Sequence, residues 1–291
     1  MNMVELSVAE LAGRPDLVLP GVADLFQPDQ PDPPRRLAIG ASDGDGYQGA
    51  VVIELSQDHG TAHLRSIMVR PGSRRQGIGR RLLEAAAERL KSRGYAQLLA
   101  EFMTETGGEL TTAGFLQACG FISPQPGIHI RTGPFTSLQG QRWLSLRLPD
   151  EFVVAPWGNL APSERVLLLE AASYEYPDIL SPFEDDAEVD PSRSLLLRYR
   201  GQPVGWMLLE ELEPRTVLFK TMYVFKRHQR MARGVALFAE AIRRLMAEGH
   251  YPNGMFFVEH ENEPMRRFME RYFFSPDLRQ ETMWRSYRTL P

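Results

Sequence analysis

Residues Arg74 to Arg80 read Arg-Arg-Gln-Gly-Ile-Gly-Arg, and Arg81 adds a fourth arginine. The apolar run Ile67-Met68-Val69 precedes them, and Ile78, Leu82, Leu83, Ala86 and Leu90 follow at helical spacing. The pattern predicts a strand that enters a glycine turn and then a helix N-terminus. Two glycines let the backbone come close to a bound group, and first-turn N–H groups have no helical partner. The helix dipole favours an anion at that end. With four arginines (74, 75, 80 and 81) around it, the turn suits a pyrophosphate, and hence a nucleotide-like cofactor.

Three cofactor types use such a turn. A dinucleotide fold wants a third glycine, but Leu82 stands there. A P-loop wants Gly-Lys-Ser/Thr, which follows neither glycine. Arg74-x-x-Gly77-x-Gly79 does match the coenzyme A turn, Arg/Gln-x-x-Gly-x-Gly/Ala. Gly94-Tyr95 then closes the helix, Gln97 to Glu101 reads as the next strand, and Phe115 to Phe121 reads as a short helix ending in Gly-Phe. In this order, residues 64–121 resemble the GNAT superfamily of N-acyltransferases. A basic helix end that merely faces solvent does not explain the order of the flanking elements.

The resemblance implies transfer of an acyl group, acetyl first of all, from acyl-CoA to a primary amine by direct attack on the thioester. Arg74, Arg75, Gln76, Gly77, Ile78, Gly79 and Arg80 are the expected cofactor-binding residues. Backbone N–H groups near Met68 and Val69 are expected to hold the thioester oxygen, with the pantetheine arm in a gap beside that strand. An alkylammonium has a pKa near ~10.4, so only about one molecule in ~10³ is neutral at pH 7. A proton acceptor is therefore needed. Glu101, on the strand after the cofactor helix, and Glu54, on the preceding hairpin, are the candidates; a solvated surface carboxylate is the plain alternative for each. The family's frequent tyrosine, five residues before the closing Phe, is Leu116 here and Met269 in the second half. No metal is implied, since His59 and His63 do not share a helix face. Two alternatives stand beside acetyl transfer: a longer fatty acyl group placed on a peptide or metabolite amine, and a non-catalytic acyl-CoA-binding protein.

The second half repeats the plan. Strand patterns at Leu195–Tyr199, Val204–Leu209 and Val217–Phe225 precede a helix opened by Gly234-Val235-Ala236, a strand at Met255–Val258 and a short helix from Glu263 to Phe274. The expected fold is α/β with two tandem GNAT-like domains, each a mixed, mostly antiparallel sheet flanked by helices. Their expected bounds are 1–148 and 152–291, with Leu148 to Pro162 as linker. With Gly234 taken as the turn glycine, Met231 stands where the family has Arg or Gln, and the spacing from the strand valine is two residues longer. That makes the second motif degenerate. The loop from Tyr174 to Asp186 mixes aromatics with acids, which suits a cationic amine. Tyr174, Glu184, Asp185 and Tyr223 are thus acceptor-binding candidates, an exposed acidic loop being the alternative.

At 291 residues, 43% of them apolar, the chain suits two domains with real cores. A net charge of −4 gives no global pull toward nucleic acid or anionic membrane. The one cysteine, Cys119, rules out an internal disulfide, which fits a reducing, cytoplasmic setting; it reads as a buried apolar residue rather than a nucleophile. The N-terminus lacks the pattern of a signal peptide, and no apolar run approaches the ~20 residues of a membrane span.

Overall fold

The chain divides into two units, Met1–Gly127 with Thr282–Pro291, and Ile128–Glu281. The computed structural model describes residues 1–20, 22, 35–44, 46–57, 60–105, 109–172, 174–184, 188–213 and 215–290. Its elements in chain order are β1 (Asn2–Glu5), α1 (Val8–Ala12), β2 (Arg36–Ser42), β3 (Tyr47–Leu55), β4 (Thr61–Val69), α2 (Ile78–Ser92), β5 (Gln97–Glu105), α3 (Glu109–Ala118) and β6 (Gln125–Pro134). There follow β7 (Phe152–Pro156), α4 (Pro162–Ala171), β8 (Leu195–Tyr199), β9 (Gln202–Glu213), β10 (Thr216–Val224), α5 (Arg233–Glu248), β11 (Asn253–Glu259), α6 (Glu263–Tyr272) and β12 (Arg279–Thr289).

In the N-terminal unit the strand order is β1-β2-β3-β4-β5-β12. The first four strands are antiparallel, and β4 and β5 are parallel. Strand alternation gives the sheet two faces. Val51, Ile53 and Leu55 of β3 pack with Ile78, Leu82, Leu83 and Leu90 of α2. Ala50 and Val52 point the other way, onto Leu11 of α1 and onto Leu17 and Val18. The capping box of α1, in which Ser7 and Glu10 bond each other's backbone N–H, fixes where that cover starts.

The other unit repeats the plan in the order β6-β11-β10-β9-β8-β7. Strands β7 to β10 are antiparallel, β10 and β11 are parallel, and β6 runs antiparallel beside β11. α5 buries Val235, Phe238, Ile242 and Leu245 on one face of this sheet. Leu168 of α4 covers Leu196, Trp206 and Leu208 on the other. Phe238 is fully buried among Trp143, Phe219, Phe256, Phe268 and Phe273. Phe238→Ala is expected to cost about 3–5 kcal/mol by urea unfolding, because so dense a cluster cannot collapse into the void.

The division differs from the 1–148 and 152–291 bounds read from the sequence. The chain leaves the N-terminal unit at Gly127 and returns at Thr282, so the last ten residues belong with the first half. The expected linker, Leu148 to Pro162, holds the edge strand β7. Alternation of side chains marks a segment as strand but does not say which sheet receives it.

Candidate active site

β4 and β5 pair from Thr61↔Gln97 to Leu64↔Ala100 and then part. β4 stays on β3 as far as Gly49↔Val69. Residues 65–69 therefore present one unpaired edge to a gap. The Arg70 N–H donates to Gln48 O on β3 at 2.9 Å. Alternation then turns the Met68 N–H toward β3 as well, and the N–H and C=O of Val69 toward the gap. Consistent with this, the Val69 carbonyl accepts from Arg74 Nε at 3.0 Å. Of the two expected oxyanion positions, Val69 has its backbone at the open edge and Met68 does not. Gly49 permits the twist: a Cβ there would lie 2.6 Å from Met68 O.

The turn before α2 is built from left-handed residues. Arg75 has φ 62° and Gly77, the residue before α2, has φ 75°. The first helical bond runs from the Arg81 N–H to Gly77 O at 3.1 Å. The N–H groups of Ile78, Gly79 and Arg80 thus have no helical partner. A Cβ on Gly77 would meet nothing within 4 Å, so the space beside this glycine at the helix end is open. A Cβ on Gly79 would meet Phe115 at 3.2 Å, so this glycine serves the packing of α2 on α3. Arg80 is held by Glu84 at 2.9 Å. Gln76 bends back toward Gly72 O at 3.4 Å.

A cavity of ≈1190 Å³ joins the turn to the gap. At one end it is lined by Arg74, Arg75, Gly77, Gly79 and Arg80, and along its walls by Ile67, Val69, Phe115, Leu116 and Cys119. At the other end lie Leu19, Pro20, Arg65, Ser66, Glu101, Met103 and Met283. Leu98, Ala100 and Phe102 of β5 join the α2 cluster, so Glu101 and Met103 face the α1 side. Ser66, 2% exposed, faces that side too and accepts from the Leu19 N–H at 2.9 Å. The cavity therefore passes through the split sheet, from the glycine turn to the opposite face. A coenzyme with a phosphate end, a long arm and a reactive tip fits this shape. The wall position expected for a tyrosine is the buried Leu116, which brings no hydroxyl.

Both candidate bases lie on the α1 face, each tied to an arginine. Glu101 accepts from Arg285 Nε at 3.0 Å, and Glu54 from Arg65 Nε at 2.7 Å. Glu101 lines the cavity; Glu54 is not among its lining residues. Arg285 and Met283 come from β12, which no sequence pattern tied to this site. Cys119 is buried at the end of α3, and burial pushes its thiol up. It is expected to react with iodoacetamide at pH 8 at least about ten times more slowly than free cysteine. A rate equal to that of the free thiol would contradict the burial.

In the C-terminal unit the turn sits two residues earlier than the sequence suggested. Ala232, with φ 56°, precedes α5 as Gly77 precedes α2. Gln229 Nε2 donates to Val224 O at 2.9 Å, as Arg74 does to Val69. Gly205 faces Tyr223 O as Gly49 faces Met68 O. The second motif is thus Gln229-x-x-Ala232-x-Gly234, with the spacing of the first and alanine in place of its first glycine. Matching by glycine hid this, because Ala232 holds a backbone conformation that usually marks glycine.

The acceptor candidates of this unit are not drawn together. The Tyr223 hydroxyl donates to Glu175 O, and burial raises its pKa. Tyr174 is 69% exposed, Glu184 is exposed, and Asp185 lies outside the described residues. His59 also lies outside them. Among the described residues no three His, Cys, Asp or Glu side chains converge to hold a metal, and no helix is long and apolar enough to cross a membrane.

The GNAT acetyltransferase family model matches the chain twice, at residues 9–121 and 162–273. The chain belongs to this family, as two GNAT repeats in tandem, and is an N-acyltransferase of the acyl-CoA-dependent kind. Among solved structures it is similar to a tandem GNAT protein from the clavulanic acid biosynthesis pathway, with TM-score 0.63, 17% identity and coverage of 100% of this chain and 98% of that one. A GCN5-related N-acetyltransferase from Sphaerobacter thermophilus gives TM-score 0.62 and 16% identity, over 99% and 95% of the two chains. At these identities the likeness concerns the fold. A search of curated protein sequences returns no match.

Proposed function

We propose that the N-terminal unit transfers an acetyl group from acetyl-CoA to a primary amine. The observation that carries this reading is the cavity that runs from an open phosphate turn, along an unpaired strand edge, to a carboxylate on the far face. The Ile78, Gly79 and Arg80 N–H groups and the Arg74 and Arg75 side chains bind the pyrophosphate. The Val69 N–H holds the thioester oxygen as it gains charge. The amine enters from the α1 face, loses a proton to Glu101 and attacks the carbonyl carbon. The C–S bond then breaks and the electron pair leaves with the sulfur. Water protonates the thiolate, since Leu116 cannot.

The bounds of the active unit follow the structure, so the functional piece includes β12. Ala232 puts a methyl group at the second turn where the first has none, which favours the N-terminal site for the cofactor. The apolar walls at Ile67, Phe115, Met103 and Met283 support a second reading, transfer of a longer acyl chain. The lone buried cysteine agrees with a reducing, cytoplasmic setting. The test is calorimetric titration of the full chain with acetyl-, octanoyl- and palmitoyl-CoA. One molecule of acetyl-CoA bound per chain is the expected result. No binding of any of the three would remove the reading, and binding of palmitoyl-CoA alone would replace acetyl by the longer chain.

A further inference from the structure

Glu101 and Arg65, which both line the cavity's far mouth, each belong to an ion pair of one design. In each, a carboxylate holds only the Nε of an arginine: Glu101 with Arg285, and Glu54 with Arg65. Among the described residues, neither arginine gives its Nη groups to any partner. A guanidinium presents five N–H donors in a rigid fork, so most of that capacity stays open. Each carboxylate likewise keeps one oxygen outside its bond. The four groups share the α1 face. On β12, Trp284 bonds Thr104, Ser286 bonds Ile122 O and Arg288 bonds Cys119 O, all toward α3. Arg285 therefore points to the opposite side.

The seat of Arg285 is shaped for it. A Cβ on Gly127 would lie 3.1 Å from Arg285 Nε and 3.2 Å from its Cδ, so this glycine leaves the space the side chain occupies. Half-exposed ion pairs add little stability, about 0–1 kcal/mol in general. Arg285 does not itself line the cavity, but it is held by its inner nitrogen on a carboxylate that does, with its fork open, and is better placed to bind than to brace. The fork matches a carboxylate with two parallel hydrogen bonds. The free oxygen of Glu101 sits beside it and suits an ammonium.

We propose that the acceptor is a small amine that also carries a carboxylate, as an α-amino acid does, with Arg285 binding the carboxylate and Glu101 the amine. This rests on the acetyl-transfer reading above. It departs from the cationic acceptor expected from the acidic loop of the second repeat. Arg285 is a specificity residue here, and Glu101 keeps its part as proton acceptor.

The test uses the full chain, acetyl-CoA, and the twenty common α-amino acids beside their amides, their decarboxylated amines and ethanolamine phosphate. Release of the CoA thiol is the readout. At least one amino acid is expected to turn over with kcat/KM about tenfold or more above that of its amide and its amine. Arg285→Gln should raise KM for that amino acid about 10- to 100-fold, leave KM for acetyl-CoA within twofold, and erase the preference over the amide. Arg285→Lys should restore part of it. Gly127→Val, which keeps the charge and displaces the side chain, should act in the same direction while KM for acetyl-CoA stays within twofold. Equal rates for amines and amino acids, a preference for ethanolamine phosphate, or no turnover of any amine while acetyl-CoA still binds would each overturn this acceptor class. Failure of acetyl-CoA to bind would instead remove the acetyl-transfer reading beneath it.

Discussion

Gly77→Val and Arg75→Glu are each expected to weaken acetyl-CoA binding about 100-fold or more, whereas Ala232→Val is expected to change it less than about threefold. The reasoning starts from the backbone. Gly77 has φ 75°, where a β-branched residue is a steric outlier costing at least the ~1–2 kcal/mol of an ordinary left-handed residue. Valine also adds bulk to the open space beside the helix end, next to the N–H groups that would face an anion. Together these approach the ~2.7 kcal/mol that a hundredfold loss represents. Arg75→Glu keeps the chain's path and reverses the charge facing the phosphates. Ala232 already has its Cβ, and on the proposed reading, in which the N-terminal turn holds the cofactor, valine there adds bulk away from the binding site. Calorimetry on the three variants decides: comparable losses in all would mean that both turns bind, and losses below threefold at Gly77 would mean that this helix end is not the phosphate site.

The strand, glycine turn and helix at residues 61–92 were legible because their whole signal is local. Glycines, arginines and a helical stripe lie within about fifteen residues, and each acts through the backbone geometry it dictates. The repeat was legible for the same reason, as an order of strands and helices. The far end of the cavity was not. Leu19, Ser66, Glu101 and Met283 line one cavity across more than 250 residues of chain, Arg285 joins them through Glu101, and nothing in Met283-Trp284-Arg285 distinguishes it from any other half-buried strand. The path of β12 back to the first half has no local marker, so the division at 148–152 followed the repeat and missed the returning strand. The register of the second turn was lost because a glycine at 234 stood in for a conformation that Ala232 adopts. The returning strand also bears on truncation. A fragment ending at residue 150 lacks Met283 and Arg285, so its inactivity would say nothing about the second repeat.

The second large effect concerns proton transfer. Glu101→Gln is expected to lower kcat at pH 7 by about 10²-fold, within the 10²–10⁴ range of general-base contributions. KM for acetyl-CoA should stay within twofold, because Glu101 lies at the opposite end of the cavity from the phosphate turn. Glutamine keeps the size of the side chain and an oxygen that can accept from Arg285 Nε, so the ion-pair partner is not set adrift. What it loses is the capacity to take a proton. The defect should therefore shrink as pH rises from 7 toward 10, since the neutral fraction of an amine with pKa near ~10 grows about tenfold per pH unit. A variant that merely distorted the mouth would be as slow at pH 10 as at pH 7. Glu54→Gln is the control on the same face: Glu54 contacts Arg65 but does not line the cavity, so its loss should lower kcat less than about fivefold. The assignment fails if Glu101→Gln turns over within twofold of the parent, or if its defect is independent of pH. A larger loss in Glu54→Gln would move the proton acceptor to that residue.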